Sequence, residues 1–74
     1  MPDALDKKAG VIRRLKTRGY APAGRDRFGS YLQNGSTRVY VDDIGIFVYR
    51  RQGHKGPWIR ESGHTFSSIP WEQL

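Results

Sequence analysis

The chain has 74 residues, no cysteine, and 13 Lys plus Arg against 7 Asp plus Glu, for a formal net charge of +6. A chain of this length folds as one domain, residues 1–74, that buries only about 60% of its unfolded surface, which leaves little room for an enclosed catalytic cleft. Without cysteine there are no disulfide staples or thiolate metal sites, and residues 1–15 hold no uninterrupted apolar run, so neither a signal peptide nor a membrane span is expected there and the composition is that of a soluble, cytoplasmic protein.

Residues 3–19 are expected to form a helix. Asp3 is placed to cap it, Asp6 puts a carboxylate in the first turn, and Gly19 stands where a C′ residue belongs. Leu5, Ala9, Ile12 and Leu15 recur at helical spacing and make one apolar stripe that needs a sheet to lie on. Gly10 weakens this helix by about 1 kcal/mol against alanine, so it signals either a close helix–sheet approach or frayed first turns. Lys7, Arg14 and Arg18 share one flank with Val11, Lys8 follows Lys7, and Arg13 and Lys16 project from another side. An ordinary solvated helix mixes signs to gain i,i+4 pairs, and few acids besides Asp6 are available here. With Arg25 and Arg27, residues 1–27 hold eight cations against three acids, whereas the remainder hold five against four. Such clustering is an electrostatic footprint for a polyanion, with a solvated surface as the plainer alternative.

Tyr20 to Arg27 reads as a connector, since Pro22 biases Ala21 away from helix and Gly24 permits a bend. Asn34-Gly35, flanked by alternating apolar residues, then predicts a β-hairpin over Phe28–Val41 with a type I′ turn. That register sets Tyr31 opposite Arg38, gathers Phe28, Leu32, Val39 and Val41 on one face, and leaves Tyr31, Arg38 and Tyr40 on the reverse. After a turn at Asp42-Asp43, Ile44 to Arg51 resumes as a central strand with Ile44, Ile46 and Val48 on one side and Phe47 and Tyr49 on the other, Gly45 marking a bulge or close contact. Gln52 to Pro57 is a loop, Trp58 to Glu61 a fourth strand, and Ser62-Gly63 a break. The last apolar residues, Phe66, Ile69, Trp71 and Leu74, belong to a short helical turn capped by Ser68 or to an edge strand that tolerates Pro70.

The order of a helix, Arg18-Gly19-Tyr20, a connector, then Gly29-Ser30-Tyr31 at a hairpin resembles the HicA-type RNA-cleaving toxins over Val11 to Tyr31. In that family a histidine follows the Gly-Ser pair and carries the cleavage chemistry. Tyr31 stands at that position, and the long C-terminal helix of the family is missing, so no nuclease activity is carried over.

Catalysis finds little else to rest on. His54 and His64 sit in Gly-containing stretches without a metal-ligand spacing, Asp42-Asp43 reads as a turn, and neither a phosphate-binding glycine loop nor a nucleophile elbow is present. No cofactor or metal is expected. Binding is better supported: Tyr31, Arg38 and Tyr40, extended by Phe47 or Tyr49 with Arg51, mix rings that stack bases with guanidiniums that meet phosphates. The same cluster also serves as cross-strand packing, and Trp58, Phe66 and Trp71 are candidates to cover it.

The expected fold is α+β, one N-terminal helix on one face of a four-stranded antiparallel meander sheet. The expected function is a non-enzymatic binding module for RNA, DNA or a nucleoprotein, using Lys7, Lys8, Arg13, Arg14, Lys16, Arg18, Arg25 and Arg27 for charge and the Tyr31, Arg38, Tyr40 face for stacking. The alternative is a compact inhibitor or adaptor that blocks one protein partner. In size and composition the chain is similar to phage-encoded host-takeover proteins, anti-CRISPR proteins among them.

Overall fold

A computed structural model describes residues 3–53 and 55–74, with side chains from Lys7 onward. Helix α1 (Asp3–Thr17) is followed by β1 (Ala21–Asp26), β2 (Gly29–Asn34), β3 (Thr37–Val41), β4 (Gly45–Arg50), β5 (Ile59–Thr65) and two 3-10 turns, Phe66–Ser68 and Trp71–Gln73. The side chains of Asp3, Leu5 and Asp6 and the whole of His54, read above as a cap, part of the apolar stripe, a first-turn acid and a loop histidine, lie outside the described residues. The five strands lie side by side in chain order, each antiparallel to the next. The α+β meander is therefore present, with one strand more than expected. No helix among the described residues is long and apolar enough to cross a membrane.

The additional strand is the stretch read as a connector. All six residues of β1 are exposed, so it carries no buried alternation by which its sequence would declare a strand. It lies at the edge of the sheet, where Pro22 is tolerated, and a bulge between Pro22 and Gly24 shifts its pairing with β2. Arg27-Phe28 becomes the β1–β2 turn, with Gly29 at φ +117° and the Phe28 amide donating to Asp26 Oδ1 at 2.8 Å. Phe28 leaves the core as a result and is 61% exposed.

The end of α1 follows from Gly19. At φ +96° it lets the Tyr20 amide donate to the Leu15 carbonyl at 3.1 Å and its own amide to that of Lys16 at 3.1 Å, the two bonds of a Schellman cap. Tyr20 and Leu15, both buried, supply the apolar contact that accompanies it. The carboxamide of Asn34 then donates to the Arg18 carbonyl at 3.4 Å, tying the end of β2 to the end of the helix.

The β2–β3 turn corrects the expected register. Its central residues are Gly35 and Ser36, with Asn34 opposite Thr37, Leu32 opposite Val39 and Tyr31 opposite Tyr40. Gly35 has φ +60° and Ser36 does not need positive φ, which is the demand of a type II′ turn with glycine first. The displacement is two positions in the pairing, an even number, so Leu32, Val39 and Val41 keep the core face and Tyr31, Arg38 and Tyr40 the reverse, whereas Phe28, drawn into the β1–β2 turn, changes sides and lies against Tyr40.

Core residues come from α1 (Val11, Leu15), from the sheet (Leu32, Val39, Val41, Ile46, Val48), and from Tyr20 and Ile69. Each fully buried aliphatic side chain stabilises the fold by about 1.5–3 kcal/mol. Ile12, Phe66, Trp71 and Leu74 pack against this cluster, which places the C-terminal turns on the same face as the helix. Ser68 caps neither turn; its hydroxyl donates back to the Thr65 carbonyl at 3.3 Å. Ile44, expected in the core stripe, precedes β4 and is 74% exposed. β3 is the central strand, and β4 lies between it and β5. Gly45 is a close contact: a Cβ there would lie 2.0 Å from the His64 carbonyl oxygen. The bulge falls instead between Val48 and Tyr49. Ser62-Gly63 is no break, because β5 runs through it; Gly63 is opposite Phe47, whose ring lies where a Cβ would stand, 3.0 Å away.

Candidate functional site

With α1 and both C-terminal turns on one face, the other face of the sheet carries, among the described residues, only side chains of the strands and their loops. Alternation brings Tyr31 and Gln33 of β2, Arg38 and Tyr40 of β3, and Phe47 and Tyr49 of β4 to that face. β1 adds Gly24 and Asp26, and β5 adds Arg60 opposite Tyr49.

Tyr40 is the hub of this face. Its ring lies 5.1 Å from that of Tyr31, 5.1 Å from that of Tyr49 and 6.2 Å from the edge-on ring of Phe28. The Tyr40 hydroxyl donates to Asp26 Oδ2 at 2.5 Å, and this bond holds the Asp26 carboxyl below the usual carboxylate range. Burial, and then the Asp26 bond, push the Tyr40 hydroxyl above its ordinary value. At 5% exposure Tyr40 offers no ring to a ligand, which corrects its expected role in stacking; it props up the rings around it.

Around the hub, cations and rings alternate. The Arg38 guanidinium carbon lies 4.0 Å from the Tyr31 ring centre and 4.2 Å from that of Trp58, and Arg51 lies 4.6 Å from Trp58. Arg38 Nε and Nη2 both donate to Gln33 Oε1, at 3.3 and 3.0 Å. Arg27 sits over Phe28 at 5.1 Å and Arg60 over Phe47 at 5.0 Å. The Arg51 Nε is buried and has no hydrogen-bond partner among the described residues. Tyr31 packs on backbone: a Cβ on Gly24 would meet its hydroxyl at 2.6 Å. Tyr31, Phe47, Tyr49 and Trp58 are half-buried, whereas Phe28, Arg27 and Arg60 are exposed. Of the three aromatics considered as covers, Trp58 alone joins this face; Phe66 and Trp71 belong to the helix side.

The expected site residues thus fall on two opposite sides. Arg27, Tyr31, Arg38 and Tyr40 share the uncovered face. Lys7, Lys8, Arg13, Arg14 and Lys16 lie on α1, with Arg18 just past its end. Lys8 pairs with Asp43 at 3.5 Å, Arg14 lies 4.3 Å over Trp71, and Arg13, Lys16 and Arg18 are exposed. Arg25 pairs in register with Ser30, on the face away from Tyr31. A ligand lying flat on the uncovered face cannot also touch α1.

The sequence reading missed Phe28 and Arg60 as members of this face. Their signals were present, Arg60 alternating with Ile59 and Phe28 beside Arg27, but the turn and the bulge in the β4–β5 pairing that aim them are tertiary features.

Among the described residues, the acid and the imidazole that share a cavity are each held by other groups. Asp42 and His64 line one cavity of about 210 Å³, yet Asp42 Oδ1 accepts from the Ile44 and Gly45 amides at 2.9 Å and His64 Nε2 bonds Ser62 Oγ at 2.9 Å. No group of three metal-ligating side chains occurs among the described residues.

What fold and site define together is a small α+β domain with one sheet face packed and the other bearing interleaved aromatic and arginine side chains. Comparison with protein-family models, with curated proteins and with solved structures finds no match.

Proposed function

We propose that this protein is a binding module, not an enzyme, that holds single-stranded nucleic acid against the uncovered face of its sheet. The observation that carries the proposal is that face itself, where Phe28, Tyr31, Phe47, Tyr49 and Trp58 are interleaved with Arg27, Arg38, Arg51 and Arg60. Bases stack on such rings for about 1–3 kcal/mol each and with little sequence preference. Arginine suits the spaces between them, because its planar guanidinium both stacks on rings and donates to phosphate. The exposed cations of α1, away from this face, raise the on-rate by attracting the polyanion at a distance.

The test is fluorescence anisotropy of a labelled oligonucleotide at rising salt. If the four arginines each neutralise one phosphate, log K falls with log salt at a slope of about −3 for a single strand. Trp58→Ala should weaken binding by at least about 1 kcal/mol. No binding at low salt, or binding that Trp58→Ala leaves untouched, refutes the proposal.

A second reading, a compact inhibitor of one protein partner, is favoured by β1, a six-residue edge strand exposed throughout. An open edge can accept a strand from another chain. Capture from nuclease-treated lysate separates the two: one stoichiometric protein partner supports the inhibitor, and material lost on nuclease treatment supports the nucleic-acid module.

A further inference from the structure

Helix α1 carries a glycine in its interior that packing does not require. Among the described residues, a Cβ on Gly10 would meet nothing within 4 Å, so the close helix–sheet approach that its presence suggested does not occur. Glycine in a helix interior costs stability, and here no steric need offsets that cost. What Gly10 borders is a groove of about 300 Å³ between α1 and the C-terminal turns, at the lower end of the size range of ligand pockets.

Val11, Phe66 and Trp71 give the groove apolar walls, Lys7 and Arg14 give it two cations, and Ser67 adds a hydroxyl. No acidic side chain among the described residues lines it. Lys7 and Arg14 are two helical turns apart, roughly 10 Å along the axis, with Gly10 between them. The Arg14 guanidinium is held at the groove by lying over the Trp71 ring at 4.3 Å.

We infer that this groove binds a small organic anion with an aromatic or aliphatic body. The apolar part lies against Val11, Phe66 and Trp71, and the anionic group meets Arg14 and Lys7. A neutral apolar ligand would strip water from two cations without replacing it, and a bare inorganic anion would leave the apolar walls wet. Only a ligand with both parts satisfies both. Gly10 keeps the space open, since any side chain at that position would stand in it. The site lies on the helix side of the sheet and does not depend on the nucleic-acid reading.

The test uses anilinonaphthalene sulfonate, an aromatic anion whose fluorescence rises when it leaves water, with amide chemical-shift mapping of the folded protein. The expected result is saturable one-to-one binding with shifts at Val11, Phe66 and Trp71, weakened about tenfold or more in Gly10→Leu and in Arg14→Gln. Leucine is a strong helix former, so Gly10→Leu keeps the fold while filling the groove. Absence of saturable binding, shifts confined to another surface, or unchanged affinity in Gly10→Leu would overturn the inference. Loss of oligonucleotide binding in folded Gly10→Leu would also overturn it, by making the groove part of the nucleic-acid surface.

Discussion

Arg38 is the residue at which the stability and the proposed function of the sheet face can be separated. Its guanidinium lies over two rings, 4.0 and 4.2 Å from their centres, and donates twice to Gln33. Each cation–π contact at a partly exposed site contributes about 0.5–1 kcal/mol, and the side-chain hydrogen bonding contributes about 1 kcal/mol more. Arg38→Ala should therefore lower folding stability by about 2–3 kcal/mol, from a total of about 4–11 kcal/mol for a chain of this size. In thermal unfolding that is a drop in Tm of roughly 10–20 °C. Arg38→Lys keeps the charge but loses the planar stack and the fork, so it should lose about half as much stability. The binding arm is read by anisotropy well below each variant's Tm. Arg38→Ala should make the salt slope shallower by about 0.7, one phosphate fewer, while Arg38→Lys retains the slope and loses affinity. If both variants lose the expected stability and neither changes affinity or salt slope, the stack is cross-strand packing and the sheet face is not the site.

Three further outcomes test the fold around it. Leu15, which is fully buried, should cost about 2–5 kcal/mol on substitution by alanine, whereas Ile44→Ala at the surface should stay within about 0.5 kcal/mol, both read from urea midpoints. Gly45→Ala should destabilise by at least about 2 kcal/mol, because its methyl group overlaps the His64 carbonyl and must part β4 from β5; a neutral result would show that the two strands are less closely paired. Stability should fall towards both extremes of pH in scanning calorimetry. Asp26 is held below its ordinary range by the Tyr40 bond, so its contribution is present above about pH 4 and is lost as the pH falls through its lowered folded value. Tyr40→Phe should remove that part of the acid limb. Burial raises Tyr20 and Tyr40 above the usual value of about 10, so above that pH the unfolded chain ionises first and stability declines until the folded tyrosines titrate too. In a variant carrying Tyr31→Phe and Tyr49→Phe, tyrosinate absorbance that grows before any loss of structure would contradict this.

Local pattern alone determined the helix, its Gly19 end, and which side of the hairpin is core. Tyr31, Arg38 and Tyr40 were assigned to the correct face even though the turn lies at Gly35-Ser36 rather than Asn34-Gly35, because strand alternation has a period of two and the pairing error was even. The tertiary structure alone decided the rest. β1 carries no apolar alternation, and it is a strand only because β2 offers it a free row of backbone partners. The C-terminal aromatics had equal apolar claims on both faces of the sheet; their packing with Val11 and Leu15 on the helix side left the other face uncovered. Whether Tyr40 is a ligand platform or a buried support depended on Tyr31, Tyr49, Phe28 and Asp26 arriving from three other strands and a turn. Periodicity encodes the direction in which a side chain points, and contacts between distant parts of the chain decide what it meets there.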